Sequence, residues 1–217
     1  MLTTETKNIK VLLADEHPIA CQGIQCVFEH TPDITIEEEV TNVPDLLKKV
    51  GETKFNMVLF DISMSGFGGL DVLKTIRSER PDLPVLIFSS LPEDQYALRC
   101  LKAGAAGFLP KTCSKKQLIE TIRKVAEGRK YVSPALAEKL ACDLDFDSEK
   151  PLHQSLSDRE YQVFCMIASG KTVSEIATEL SLSVPTISTY RGRILEKMKL
   201  SNNSQLAYYA IKSGLIN

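Results

Sequence analysis

From Ile9 to Glu127, short apolar runs alternate with longer stretches in which apolar residues recur every three or four positions. IKVLLA (Ile9 to Ala14), ITIEEEV (Ile34 to Val40), MVLF (Met57 to Phe60), LPVLIFS (Leu83 to Ser89) and AGFL (Ala106 to Leu109) have the length and β-branched content of strands. Helical spacing fills the intervals at Pro18 to Glu29, Val43 to Val50, Gly69 to Ser78, Glu93 to Ala103 and Ser114 to Glu127. Pro81, Pro84, Gly104 and Gly107 punctuate the connections. Five strand–helix units in a row predict an α/β domain, a doubly wound five-stranded parallel sheet.

Beyond Gln154 the strand pattern stops, and helices are expected at Ser157 to Ser169, Val173 to Leu180, Pro185 to Met198 and Asn203 to Ser213. This is an all-α second domain. SPALAEKLAC (Ser133 to Cys142) reads as a short capped helix, and DLDFDSEKPLHQ after it is acidic and aperiodic. The expected organisation is a first domain over 1–129, a linker over 130–154 and a second domain over 155–217.

Length and composition fit two globular domains: 217 residues, 43% hydrophobic and 25% charged. The polar start MLTTETKNIK argues against a signal peptide or anchor, and no apolar run is long enough to cross a bilayer, so a cytoplasmic protein without membrane contact is expected. Cys21, Cys26, Cys100, Cys113, Cys142 and Cys165 show no paired ligand spacing and read as reduced structural thiols. Charge is uneven: from Pro151 onward seven bases face five acids, net +2, so the remainder carries −4 within a total of −2. Only the second part is then suited to a polyanion.

Asp15 and Glu16 end the first strand, Asp61 ends the third, and Ser89 and Lys111 follow the fourth and fifth. The carboxyl ends of parallel strands open on one edge, so these groups can converge. Three acids, a hydroxyl and an ammonium suit a divalent oxygen-loving cation and a transferred phosphoryl group, with Asp61 as nucleophile. Singly, each has a plain alternative: a solvated turn for Asp15 and Glu16, a helix cap for Ser89, a snorkelling surface lysine for Lys111. Their joint order after successive strands favours a shared site. GFGG (Gly66 to Gly69) lacks the Lys and Ser/Thr of a nucleotide loop and reads as a tight turn. His17, His30 and His153 show no ligand spacing and read as structural or solvated, and Glu37 to Glu39 as a solvated strand edge.

In the second domain, Val173, Ile176, Ala177 and Leu180 form one apolar face, SLSV a short turn, and Pro185 suits the first position of the next helix. That helix buries Ile187, Tyr190, Ile194 and Met198, leaving Ser188, Thr189, Gly192 and Arg193 on the other side. Two helices with a small, polar and basic outer face fit a helix-turn-helix, although periodicity alone equally fits an ordinary helical hairpin.

ADEHP, LFDISMSGFGGLDVL, IFSS and AGAAGFLPK resemble the receiver motifs of bacterial two-component response regulators. LSDREYQVFCMIASGKTVSEIATELSLSVPTISTYRGRILEKM resembles the LuxR-type helix-turn-helix of the NarL/FixJ family, and together these cover almost the whole chain. The resemblance implies a flavodoxin-like receiver in which Asp61 accepts a phosphoryl group from a sensor histidine kinase. It implies Mg²⁺ held by Asp15, Glu16, Asp61 and the Ser63 carbonyl, with Ser89 and Lys111 on the phosphoryl oxygens and Phe108 as the switch aromatic. Promoter DNA would be contacted by Lys171, Thr172, Thr186, Ser188, Thr189, Arg191, Gly192, Arg193, Lys197 and Lys199, and a homodimer is expected on phosphorylation.

The chain departs from the family pattern at three receiver positions. Glu16 stands where Asp is frequent, Ser65 where proline is usual, and Phe108 lacks a tyrosine hydroxyl. Lysines common in the family are absent at Ser188 and Gly192. Two other functions compete: a phosphorylation-independent DNA-binding regulator that uses the receiver for dimerisation, and an aspartyl-phosphate phosphohydrolase. The second needs an acid two residues beyond the nucleophile, where this chain has Ser63.

Overall fold

The computed structural model describes residues 8–52, 54–64, 68–138 and 151–216. It divides into two compact units, Met1–Asp143 and Leu144–Asn217. The first unit runs β1 (Ile9–Ala14), α1 (Pro18–Phe28), β2 (Ile34–Val40), α2 (Val43–Val50), β3 (Met57–Phe60), α3 (Gly69–Glu79), β4 (Val85–Ser89), α4 (Glu93–Lys102), β5 (Gly107–Pro110) and α5 (Lys115–Ala126). The sheet is wholly parallel in the order β2-β1-β3-β4-β5. With β1 inside, the chain reverses direction across the sheet beside β3, and the carboxyl ends of β1 and β3 flank the crevice that such a reversal creates.

The central strands are apolar throughout because both faces are covered. Val11, Leu13, Met57, Leu59, Leu86 and Leu109 pack on Cys21, Ile24 and Phe28 of α1 and on Leu118, Ile122 and Val125 of α5. Leu12, Val58, Phe60, Val85, Ile87 and Phe108 alternate with them and are equally buried. Each such side chain contributes about 1.5–3 kcal/mol relative to exposure. Burial also pushes the Cys21 thiol up to about 12, with Glu39 adding to the effect, so this sulfur stays protonated. The five described cysteines are free, and Cys142 lies outside the described residues.

β4 begins at Val85 rather than Leu83. Pro84 has no N–H for the ladder, and the Leu83 N–H instead closes a turn on the Arg80 carbonyl. The acids of β2 are paired rather than merely solvated. Glu38 meets Lys49 and Lys54, Glu37 meets Lys10, and Glu39 accepts from Gln25. The pairing of β1 with β2 slips between Val11 and Leu12, so Glu37 is the extra residue of a bulge.

Two glycines are dictated by close approach. A Cβ on Gly69 would lie 2.0 Å from the Ile62 carbonyl oxygen, which fixes the entry to α3; the rest of the expected GFGG turn, like Ser65, lies outside the described residues except Gly68. A Cβ on Gly107 would lie 2.9 Å from the Tyr131 Cβ, because the segment leaving α5 returns to donate from the Tyr131 N–H to the Ala106 carbonyl. The start of the expected linker is therefore pinned to the sheet. Ser133 accepts from the Leu136 N–H at 3.1 Å, as a capped helix start requires, while residues 139–150 lie outside the described set.

The second unit contains a 3-10 turn (Leu152–Ser155), which falls inside the stretch expected to be irregular, then α6 (Asp158–Ala168), α7 (Val173–Glu179), α8 (Val184–Met198) and α9 (Asn203–Lys212). Ser157, Thr172, Ser183 and Asn202 cap these four helices, each accepting a backbone N–H three residues on. Such caps contribute about 1 kcal/mol each. Tyr161, Phe164, Ile176, Ile187, Ile194, Met198 and Leu206 fill the core. Pro185 is the second helical residue of α8 rather than the first, and Tyr190 is only half-buried.

Candidate functional site

Asp15, Asp61, Ser89 and Lys111 converge at the sheet edge. Asp15 and Asp61 are each 1% exposed, side by side at the ends of β1 and β3. Lys111 reaches from beyond β5 to place Nζ 2.6 Å from Oδ2 of both carboxylates. The contact to Asp61 is a hydrogen bond, whereas the one to Asp15 is an ion pair that leaves Asp15 Oδ2 without a hydrogen bond. Asp61 Oδ1 accepts from Ser89 Oγ at 2.9 Å and from the Ser63 N–H and Oγ at 3.0 and 2.7 Å.

Burial pushes the Asp61 carboxyl up, but the Lys111 ammonium and the Ser63 bonds outweigh it and hold the group below the usual carboxylate range. Burial likewise works against the Lys111 ammonium, and the two carboxylates outweigh it, raising its pKa. Asp61 is thus kept ionised, as a nucleophile must be. Two buried carboxylates against one ammonium leave a net charge of −1, which favours a bound cation.

Glu16 beside them is half-exposed. Donor atoms of Asp15, His17 and Asp61 lie within 4.8 Å of one another, a set that fits a metal ion. His17 Nδ1 is 3.1 Å from Asp15 Oδ1 and 3.9 Å from Asp61 Oδ2. His17, expected to be structural or solvated, has an exposed side chain within hydrogen-bonding reach of Asp15. His153 is structural, its Nδ1 2.9 Å from the Tyr209 hydroxyl, and His30 is exposed. Phe108 is 1% exposed, already packed inside the sheet beside Ile87.

In the second unit, α7 and α8 are joined by a turn in which Ser181 takes the left-handed conformation, φ 52°, and the Leu182 N–H closes on the Ala177 carbonyl. Ser188, Thr189, Gly192 and Arg193 are exposed along α8, and Thr186 is half-buried. Thr189 Oγ donates to the Pro185 carbonyl, leaving its lone pairs outward. Three bases expected to face an anion are engaged internally: Lys171 with Glu179, Arg191 with Asn203, and Lys197 with Glu160 at 2.6 Å. Glu160 is 3% exposed, and its carboxyl is held low: burial opposes ionisation, but Lys197 and the Ser157 bonds prevail. The capping box Ser157-x-x-Glu160 was a readable signal for this acid; its lysine partner, 37 positions later, was not.

Residues 11–123 match the response regulator receiver domain, and residues 154–210 match bacterial regulatory proteins of the luxR family. Response regulator GacA of Pseudomonas aeruginosa is 33% identical, over 96% of this chain and 98% of its own. Response regulator UvrY of Escherichia coli K12 is 31% identical, over 96% of each. Salmonella enterica serovar Typhimurium RcsB, solved bound to promoter rprA with the phosphomimetic BeF3−, shares the fold at TM-score 0.67 and 23% identity, covering 93% of this chain and 98% of that one. A LuxR-family two-component response regulator from Aurantimonas sp. SI85-9A1 covers 63% of this chain and 98% of its own, at TM-score 0.58 and 26% identity. With a receiver whose acids, hydroxyl and lysine meet at one sheet edge and a luxR-type unit after it, the chain belongs to the NarL/FixJ family of response regulators.

Proposed function

We propose that this chain is a transcription factor switched by phosphorylation of Asp61. The observation that carries the reading is the shared ammonium: Lys111 lies 2.6 Å from both Asp15 and Asp61, while Ser89 donates to Asp61 from β4. Such an arrangement holds an ionised nucleophile beside groups that can receive a dianionic phosphoryl group. The donor is a sensor histidine kinase. An Asp61 oxygen attacks phosphorus, the N–P bond of the kinase phosphohistidine breaks, and the imidazole departs with the electron pair and takes a proton from solvent. Ser89 turns its hydroxyl from Asp61 to a phosphoryl oxygen, and Lys111 retains its charge pairing.

Asp15 and Asp61 would hold Mg²⁺, with Glu16 and the Ser63 carbonyl as further ligands, and a bound ion there would offset the charge of the incoming phosphoryl group. The domains are a receiver over 1–129, a linker over 130–154 and a DNA-binding domain over 155–217. Promoter DNA is read by Ser188, Thr189, Gly192 and Arg193 on α8, with Thr172, Thr186 and Lys199 against phosphates. Lys171, Arg191 and Lys197, engaged within the unit, serve it structurally. Phosphorylated protein pairs as a homodimer on two half-sites in the cytoplasm. Among the described residues no helix is long and apolar enough to cross a membrane. A phosphohydrolase is disfavoured, since Ser63, two residues after Asp61, directs its hydroxyl at Asp61 Oδ1 and offers no carboxyl.

The test is incubation with acetyl phosphate and Mg²⁺, followed by mapping of the phosphoryl group and of genomic DNA bound with and without it. One base-labile phosphoryl group on Asp61, lost in Asp61→Asn, and tighter DNA binding with it are expected. Equal labelling of Asp61→Asn would overturn the acceptor, and equal DNA binding in both states would favour the phosphorylation-independent regulator.

A further inference from the structure

The sheet edge opposite the carboxylate crevice, at the amino ends of the strands, holds a cavity of about 530 Å³. Residues entering β3, β4 and β5 line it together with the ends of α3 and α5, and it shares no residue with the crevice. Its volume falls within the roughly 300–1,000 Å³ typical of small-molecule sites.

The lining is lopsided in charge. Arg77, Arg80, Arg129 and Lys130 stand against one acid, Asp82, a net +3. The plain account is that such bases complement the carbonyl ends of α3 and α5. Arg80 fits that account: it forks onto Asp82 at 3.1 and 3.0 Å and donates to the Val50 and Glu52 carbonyls, so base and acid cancel. Three bases are left over. Arg77 donates from Nη1 to the Leu83 carbonyl at 2.9 Å, while its stem lies over Gly104, where a Cβ would come within 3.0 Å of the Arg77 Cγ. The guanidinium is thus held in place with Nε and Nη2 unbonded among the described residues. The Arg129 side chain makes an exposed pair with Glu127, of a kind that contributes little and that a bound anion can replace. The Lys130 side chain is exposed and pairs with nothing among the described residues.

The uncharged lining narrows the ligand further. Phe55, Leu83, Ala105 and Val125 are at most 3% exposed and give apolar walls, and among the described residues no Ser, Thr, Gln or Tyr lines the cavity. Its one amide is already spent: Asn56 Oδ1 accepts from the Lys10 N–H at 2.8 Å, and Nδ2 donates to the Asn8 carbonyl at 3.1 Å. A ligand rich in hydroxyls would find few partners here. Guanidinium forks, by contrast, match the oxygens of carboxylate and phosphate.

We propose that this cavity binds a small organic anion, a carboxylate or phosphate carried on an apolar body, with Arg77, Arg129 and Lys130 on the head group. The ligand bridges the end of α3 to the chain leaving α5, directly before the Tyr131 N–H bonds to the Ala106 carbonyl. This gives the first unit a chemical input apart from Asp61, and it stands independently of phosphorylation.

The test is an NMR titration of ¹⁵N-labelled full-length protein with phenyl phosphate, benzoate, phenol and inorganic phosphate, in Mg²⁺-free buffer so that no ion in the crevice draws the anions. Phenyl phosphate or benzoate should shift the Ala106, Gly128 and Lys130 amides at millimolar concentration, and the tighter of the two names the head group. Phenol and inorganic phosphate, each lacking half of the ligand, should bind at least about 10-fold more weakly. Arg77→Ala and Lys130→Ala should each weaken the aryl anion about 3–10-fold, the scale of one charge-assisted hydrogen bond, and leave phenol unchanged. Lys130 is exposed, so its variant keeps the fold even where Arg77→Ala does not. No shift from either aryl anion, shifts centred away from the cavity, phenol binding as tightly as the anions, or undiminished anion binding by Lys130→Ala and Arg77→Ala would each overturn the proposal.

Discussion

Lys197→Ala separates two roles for a lysine on the outer helix. Its Nζ lies 2.6 Å from Glu160 Oε2, and the Glu160 side chain is 4% exposed against 41% for Lys197. Breaking a fully buried pair costs about 3–5 kcal/mol and an exposed one about 0–1 kcal/mol. This pair is covered on the acid side only, and Glu160 keeps its bond from the Ser157 N–H at 2.8 Å, so about 1–2 kcal/mol is expected. For a unit of this size that is a fall of roughly 5–15 °C in its Tm. Because the folded Glu160 pKa is depressed, the pair stabilises above the unfolded value, near 4.5, and is lost as pH falls through the folded one. The variant should therefore unfold earlier at pH 7 and match the parent at acid pH. Calorimetry of the full chain across pH 3–7 reads the stability, and DNA affinity against salt concentration reads the alternative, in which a lost phosphate contact lowers the salt slope by ~0.9. Unchanged Tm with that lowered slope would refute the brace and restore Lys197 to the DNA surface.

Lys111→Ala leaves Asp15 and Asp61 as buried like charges, and should cost about 3–5 kcal/mol without metal, recovered in part by millimolar divalent cation; thermal melts with and without chelator check this. In the parent, stability carried by ionised Asp61 is present above about pH 3.8 and fades as pH drops through its depressed folded value, whereas in the variant acid should stabilise. Gly69→Ala should destabilise the first unit by about 1–3 kcal/mol, since its Cβ meets the Ile62 carbonyl at 2.0 Å; urea unfolding reads the loss. Gly192→Ala should do the reverse: a Cβ there has nothing within 4 Å, so helix propensity adds up to about 1 kcal/mol while discrimination between operator and random DNA falls if α8 seats closely in the groove.

The strand bounds were legible where apolar runs end at charged residues. β1, β2 and β3 begin and end as expected, while β4 is shorter because Pro84 lacks a ladder donor. Asp15, Asp61, Ser89 and Lys111 were legible as one site because the parallel topology dictates that strand ends meet. The approach of His17 to Asp15 was not, since it follows from backbone geometry at the turn into α1, where the His17 N–H donates to Asp15 Oδ1. The exposed stripe of α8 followed from helical period alone, but the internal partners of Lys171, Arg191 and Lys197 depend on tertiary contacts that periodicity does not encode.

The hydrogen bond from the Tyr131 N–H to the Ala106 carbonyl, with Gly107 kept bare beneath Tyr131, makes the way out of the first unit part of its sheet. The same strand that seats the outgoing chain at its start delivers Lys111 to the carboxylates at its end. β5 lies at the sheet edge, is bonded along one side to β4, and spans only four residues between these two attachments. The outgoing chain and the crevice lysine are thus fastened to opposite ends of one four-residue strand, so a bulkier residue at Gly107 would disturb the exit while Lys111 kept its place.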